Sequence, residues 1–301
     1  MGNQNIMRSI REGIKIIYRI IIPKGVRKHL SEIKKRRRRK NIKDVDYAVS
    51  NEMRFNVIPN KFWNLFNNCE WEPETTNFYR KYVLPTKEII DIGGWIGPTM
   101  MISYSYNPQK IHVVEADPAN YQVLKQNIFN NYLNDKVELY NICIGNKSGE
   151  IVSFGYNDES IKDTSTKGIG GSRVKVRTIT LEDFLKTKDM KNINIIKIDT
   201  EGGEEYMEKG LEYISKFANI NILLSIHVPF WKNKQETTEM LIEQFKNYDI
   251  YTDKEETITE NELIEKMRNN NITQYRGKVG LFFTLILKTN INKSNPSLNN
   301  R

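Results

Sequence analysis

Apolar positions along the chain gather into short β-rich runs separated by longer stretches of helical spacing. The runs are Glu88 to Ile92, Lys110 to Glu115, Val137 to Ile144, Asn194 to Ile198 and Ile220 to Val228. Regular alternation of this kind predicts an α/β domain, a mostly parallel sheet with helices on both faces. Two further runs, Glu150 to Phe154 and Arg173 to Ile179, follow the third strand and bracket Gly155 to Ser172, which is rich in Gly, Ser, Thr and Asp. A loop of that length inside a domain is expected to be a functional lid. The run Val279 to Leu287 is placed beside the fifth strand as a closing strand. Upstream, residues 41–87 carry Phe62, Trp63, Phe66, Trp71, Phe78 and Tyr79 among polar positions, which suggests a mainly helical lead-in packed on the core. Residues 289–301 are dominated by Asn, Ser and Lys, contain Pro296, and are expected to be disordered. The expected organisation is a basic segment 1–40, a lead-in 41–87, a domain 88–288 and a tail 289–301.

Charge changes the picture only at the start. Residues 1–40 hold 14 of the 46 Lys and Arg and 2 of the 37 Asp and Glu, so the net +9 resides there and the rest is slightly acidic. Ile6, Ile10, Ile14, Ile17 and Ile21 form one helical stripe flanked by Arg8, Arg11, Lys15 and Arg19, and the run Lys34 to Lys40 follows. The apolar stretch Ile14 to Ile22 is interrupted by charge, stopped by Pro23, and well short of the ~20 residues that span a bilayer. Three readings stand: a helix lying on an anionic membrane surface, a segment packed on the protein or free in solvent, and a nucleic-acid contact. The near-neutral body disfavours a nucleic-acid partner. With arginines through the segment and two cysteines, Cys69 and Cys143, at no metal or disulfide spacing, the expected location is the cytoplasm, peripheral on the inner membrane face if the first reading holds.

The first strand runs into Asp91-Ile-Gly93-Gly94-Trp95-Ile-Gly97-Pro98. A strand, glycine turn and helix forms a nucleotide-type site. Trp95 stands where a dinucleotide fingerprint needs its second glycine, which disfavours a dehydrogenase. An acid-x-Gly-x-x-x-Gly turn suits a ligand with an ammonium group and no phosphate, with Asp91 serving the cation, and S-adenosylmethionine meets that description. The second strand ends at Glu115-Ala116-Asp117-Pro118, where an acid can accept hydrogen bonds from ribose hydroxyls. The third ends at Asn141-Ile142-Cys143, placed to flank the adenine. Expected cofactor contacts are Asp91, Gly93, Gly94, Trp95, Gly97, Glu115, Ala116, Asn141 and Ile142. The fourth strand delivers Lys197-Ile-Asp199-Thr-Glu201-Gly-Gly-Glu204 and the fifth ends at Ser225-Ile-His227. Asp199 and His227 are the expected catalytic pair, either one as general base, with a divalent cation such as magnesium or manganese held between them as an auxiliary.

From Glu88 to His227, nearly half the chain, the sequence resembles the FkbM family of S-adenosylmethionine-dependent O-methyltransferases. The likeness rests on DIGGWIG, VEADP, VRTITLEDFL and above all KIDTEGGE followed by a helix with Lys209-Gly210-Leu211. It implies the class I, Rossmann-like methyltransferase fold, a seven-stranded sheet with its last strand antiparallel, and activity mostly on hydroxyls of sugars or polyketides. One departure is Ser225, where members often carry a Glu two residues before the His. The expected function is O-methylation of a sugar hydroxyl in a surface glycan or its lipid-linked precursor. The alternatives are a nucleic-acid methyltransferase using the basic segment and a non-catalytic membrane-associated scaffold.

Overall fold

A computed structural model of the chain describes residues 43–155, 173–268, 274–275, 278–279 and 282–294. The basic segment and nearly all of the expected lid loop lie outside the described residues. A hairpin of β1 (Val45–Ser50) and β2 (Met53–Asn60) leads into α1 (Phe62–Asn67) and α2 (Pro73–Tyr82). The core then alternates β3 (Glu88–Ile92), α3 (Pro98–Ser105), β4 (Lys110–Val114), α4 (Pro118–Asn130) and β5 (Val137–Tyr140). Short strands β6 (Cys143–Ile144), β7 (Ile151–Gly155) and β8 (Arg173–Ile179) make a side sheet before α5 (Leu181–Lys186). Next come β9 (Ile193–Ile198), α6 (Glu208–Ser215), β10 (Asn221–Ile226), α7 (Lys234–Phe245), β11 (Tyr248–Thr252) and α8 (Glu260–Arg268). A short hairpin, β12 (Gln274–Tyr275) and β13 (Lys278–Val279), precedes β14 (Phe283–Thr289) and α9 (Ile291–Ser294).

The main sheet has the order β11-β14-β10-β9-β3-β4-β5. Its strands are parallel except β14, which runs antiparallel to both β10 and β11. This is the seven-stranded class I arrangement that the sequence led us to expect. Proline opens α2, α3 and α4, where a missing N–H costs nothing. The strands are apolar on both faces, so successive residues feed two different cores. Ile89, Ile195 and Leu223 pack under the lead-in, α3 and α4, whereas Ile90, Ile196 and Leu224 pack under α5 to α8.

Four expectations are corrected. The lead-in is not mainly helical from its start, because β1 and β2 precede its helices. Asn127 of α4 and Asn131 just past its end hold β2 through the amides of Ile58 and Asn56, both at 2.7 Å, which satisfies an otherwise open strand edge. The third run divides at Asn141-Ile142, so that Val137–Tyr140 joins the main sheet and Cys143–Ile144 the side sheet. The closing strand begins at Phe283 rather than Val279, and Val279 belongs to β13. The tail is ordered at its start, since Lys293 donates to the Tyr248 carbonyl at 2.9 Å and pairs with Asp249 at 2.8 Å. Among the described residues no helix is long and apolar enough to cross a membrane.

Gly210 shows how closely the second core is packed. A Cβ there would lie 2.4 Å from Leu181, the buried first residue of α5. Helix propensity alone predicts that Gly210→Ala gains about 1 kcal/mol, whereas overpacking costs about 1–3 kcal/mol. We expect the second effect to win, and urea unfolding of the variant should show a lower midpoint at unchanged slope.

Candidate active site

The carboxyl ends of β4, β3, β9 and β10 lie side by side, and the residues singled out in the sequence fall on that edge. At Gly93 the turn after β3 passes so close to β9 that a Cβ would sit 1.9 Å from the Asp199 carbonyl oxygen, and φ is +87°. Only glycine meets both conditions. Trp95 adopts left-handed backbone (φ 48°), and its N–H donates to Glu115 Oε2 at 2.7 Å. The other Glu115 oxygen accepts the Asp117 N–H at 2.8 Å. Glu115 is thus a buried acid anchored on the glycine turn, and burial pushes its carboxyl up to about 7 against those two hydrogen bonds. Asn141 donates to the carbonyls of Glu115 and Ala116 at 2.9 and 3.2 Å, fixing that loop from the end of β5. Ala116 and Ile142 are half-buried beside it. The ring of Trp95 meets Phe62 of α1 edge-on, with centroids 4.6 Å apart, so the lead-in braces the turn.

Asp91 is placed differently from expectation. It is fully buried beneath the turn, where its Oδ2 accepts the Thr99 hydroxyl at 2.5 Å and its Oδ1 faces Lys197 Nζ at 3.7 Å. Burial raises its pKa, and Lys197 and Thr99 oppose that rise. The cation that Asp91 serves is therefore a residue of this chain. Lys197 is the buried charge at this edge to which sequence reasoning gave no role. Its signal was present, since a lysine inside an otherwise apolar strand cannot remain charged without partners. Here Asp199 Oδ2 lies at 3.2 Å, and although burial acts to lower the lysine pKa, Asp199 and Asp91 outweigh it and hold the ammonium charged.

The chain of opposite charges continues sideways. Asp199 Oδ1 is 3.4 Å from His227 Nε2, and His227 Nδ1 is 3.0 Å from Glu204 Oε1. Glu204, fully buried, also accepts the Trp231 indole N–H at 2.7 Å. Burial would raise the Asp199 pKa, but Lys197 and His227 prevail and keep it below the usual carboxylate range. For His227, burial opposes the charge, yet Glu204 and then Asp199 carry it up to about 9. With a carboxylate against each ring nitrogen, His227 is an imidazolium near neutral pH, and an imidazolium cannot accept a further proton. This arrangement favours Asp199 over His227 as the hydrogen-bond acceptor of the pair. The expected divalent cation finds no support here. Among the described residues no group of three or more His, Cys, Asp or Glu side chains is arranged to hold an ion. Trp231 is a core residue bonded to Glu204, whereas half-buried Phe230 stacks on His227 at 6.0 Å between centroids. Asp199 keeps 23% of its side chain exposed and is the member of the charge chain that a ligand can reach.

A raised imidazole pKa stabilises the fold only while the ring holds its proton. The contribution of His227 is complete below the free value near 6.5 and is lost as pH rises through about 9. Urea unfolding between pH 7.5 and 10 should therefore show stability falling with pH, and His227→Gln should flatten that slope. A slope unchanged by the substitution would contradict the assignment.

The model of the methyltransferase FkbM domain matches residues 91–269. No curated protein matches the chain in sequence. Among solved structures, the FkbM methyltransferase from Methylobacillus flagellatus KT aligns at 13% identity and TM-score 0.40, covering 75% of this chain and 52% of that one. This chain thus corresponds to about half the length of that protein. The O-methyltransferase from Bacillus cereus in complex with SAH aligns at 12% identity and TM-score 0.41, covering 91% and 94%. TrmK from M. capricolum, in complex with S-adenosyl-homocysteine, aligns at 13% and 0.39, covering 71% and 67%. With the domain model spanning more than half its length, on the strand order and sheet edge described above, the chain belongs to the FkbM methyltransferase domain family.

Proposed function

We propose that the protein is an S-adenosylmethionine-dependent O-methyltransferase acting on a sugar hydroxyl of a surface glycan or its lipid-linked precursor. One observation carries this reading. Glu115 and Asp199 stand on either side of the same glycine turn, the first buried and anchored on backbone N–H groups, the second partly open to solvent. A buried carboxylate at the end of the second strand has the acceptor chemistry that a ribose diol needs. Gly93, Gly94, Trp95 and Gly97 form the turn over which the cofactor would lie, with Ala116, Asn141 and Ile142 on the adenine side. Bound there, the cofactor supplies an activated methyl group on a sulfonium. The work left to the protein is alignment, because the leaving group is already a good one. Asp199, held ionised by Lys197 and His227, offers the acceptor hydroxyl a fixed hydrogen-bond acceptor beside the turn. Among the described residues no group of three or more His, Cys, Asp or Glu side chains fits the auxiliary cation, and no step is assigned to one.

The test is calorimetry and turnover on one set of variants. S-adenosylmethionine should bind ahead of NAD, and Glu115→Ala should weaken it by roughly 1.5–3 kcal/mol. Asp199→Asn should leave that affinity within a few fold and lower turnover on a glycan acceptor by at least about 10². Tighter binding of NAD would refute the cofactor assignment.

A glycolipid acceptor would be met at a membrane, and the isoleucine stripe and Lys34 to Lys40 run suit an anionic surface. Removing residues 1–40 should abolish low-salt sedimentation with phosphatidylglycerol vesicles while cofactor affinity is unchanged. Equal sedimentation of both forms would exclude that surface role.

A further inference from the structure

The basic segment joins the rest of the chain at one definite place. β1 and β2 are antiparallel, with Val45 opposite Asn60 at one end of the hairpin and Ser50 opposite Met53 at the other. The second end rests on the end of α3, because the Asn51 side chain donates to the Ser105 carbonyl at 3.0 Å. Ser105 leads within five residues into the start of β4, so this end lies at the amino edge of the sheet. The first end rests on the glycine turn. Asn127 holds the Ile58 N–H and the Ile96 carbonyl together, and Phe62 meets the ring of Trp95. Lys43, two residues before β1, accepts the Asn64 side chain of α1 on its carbonyl at 2.9 Å. The chain therefore enters β1 beside the carboxyl edge, where Asp199 is open to solvent.

Three residue steps separate Lys43 from Lys40, the last of seven consecutive basic residues. An extended chain spans at most about 3.6 Å per residue, which keeps Lys40 within about 11 Å of Lys43 and Arg37, the middle of the run, within about 22 Å. That bound holds for any conformation of the segment. Half-buried aromatic rings flank the same edge, Trp71 and Trp95 on the lead-in side and Phe230 and Phe282 on the β10 side. Register brings Phe282 there, since Ile226 pairs with Phe283. Lys61, which caps α1, and Lys232, beyond β10, are exposed beside them. Rings that are part packed and part wet, next to cations, suit the headgroup level of an anionic bilayer. The amino edge also shows apolar rings, Phe129 and Tyr132 at the end of α4, but lysines there are occupied, Lys110 by Glu138 at 2.8 Å and Lys188 by the Tyr140 hydroxyl.

Resting on the membrane-surface reading of residues 1–40 above, we propose that the carboxyl edge of the sheet is the face this protein turns toward an anionic membrane, with the Lys34 to Lys40 run engaging lipid headgroups beside the site. A lipid-linked acceptor then presents its sugar to Asp199 from the bilayer side, without leaving the membrane.

The test places one fluorophore on the full chain and reads energy transfer to a rhodamine-headgroup lipid in vesicles of phosphatidylglycerol and phosphatidylcholine. With Cys69→Ser removing the exposed native thiol, the label goes on Lys61→Cys or Lys232→Cys at the carboxyl edge, or on Asp135→Cys, an exposed position ahead of β5 at the amino edge. Strands of five or six residues set the two edges about 17–20 Å apart, and transfer from either carboxyl-edge label should exceed that from Asp135→Cys by about twofold or more. Equal transfer from the two edges, or more from Asp135→Cys, overturns the orientation and leaves the surface role standing. A full chain that neither sediments with the vesicles nor transfers from any label overturns the surface role and this proposal with it, and its retention on single-stranded RNA instead would assign the basic run to nucleic acid. None of these outcomes bears on methyl transfer itself, which calorimetry and turnover on soluble methyl glycosides test separately.

Discussion

A lysine buried between two aspartates holds the centre of this molecule together. Lys197 sits mid-sheet with Asp91 on one side and Asp199 on the other, and its ammonium pairs with both. Removing one partner from a buried pair leaves an uncompensated charge and typically costs about 3–5 kcal/mol. The pairing also ties together β3 and β9, the two strands whose ends make the glycine turn and the acidic edge. Through Asp199 it extends to His227 and Glu204, and through Glu204 to the indole of Trp231. The electrostatic character of the edge is set here, with one carboxylate left partly exposed and its protonation held by its neighbours.

The lead-in completes what the alternating domain begins. Its hairpin is held by asparagines in and just after α4, and the same Asn127 that accepts the Ile58 N–H donates to the Ile96 carbonyl in the glycine turn at 2.9 Å. Phe62 braces Trp95, and α2 lays Phe78 and Tyr79 on the sheet face. These contacts make residues 43–87 one wall of the carboxyl edge of the sheet.

Much of this was legible in the sequence because its signals were local. The runs at β3, β4, β9 and β10 are short, apolar and bounded by turn residues, and the motif acids fall at their ends. Tyr248–Thr252 escaped notice since YDIYT, half-buried over most of its length at the sheet rim, carries no continuous apolar run. The β1–β2 hairpin was masked by the aromatics that follow it, whose helical spacing coloured the whole lead-in. The surroundings of His227 were out of reach for a different reason. Residue type and position at a strand end were readable, but its proton affinity depends on Glu204, whose approach to the ring is set by the turn after β9.

The place of β14 has a consequence for the order in which the molecule can assemble. It lies between β10 and β11 although it follows both in the chain, beyond α8 and the β12–β13 hairpin. The five parallel strands from β5 to β10 can pair as they are made, but β11 has no neighbour until β14 arrives. Until then α7, β11 and α8 are tethered beside a sheet with an open edge, and the core they share with Leu285 and Leu287 is unfilled. Closure of the sheet is thus a single late insertion between two waiting strands, and the half-assembled chain is most exposed to wrong edge pairing in the interval before it.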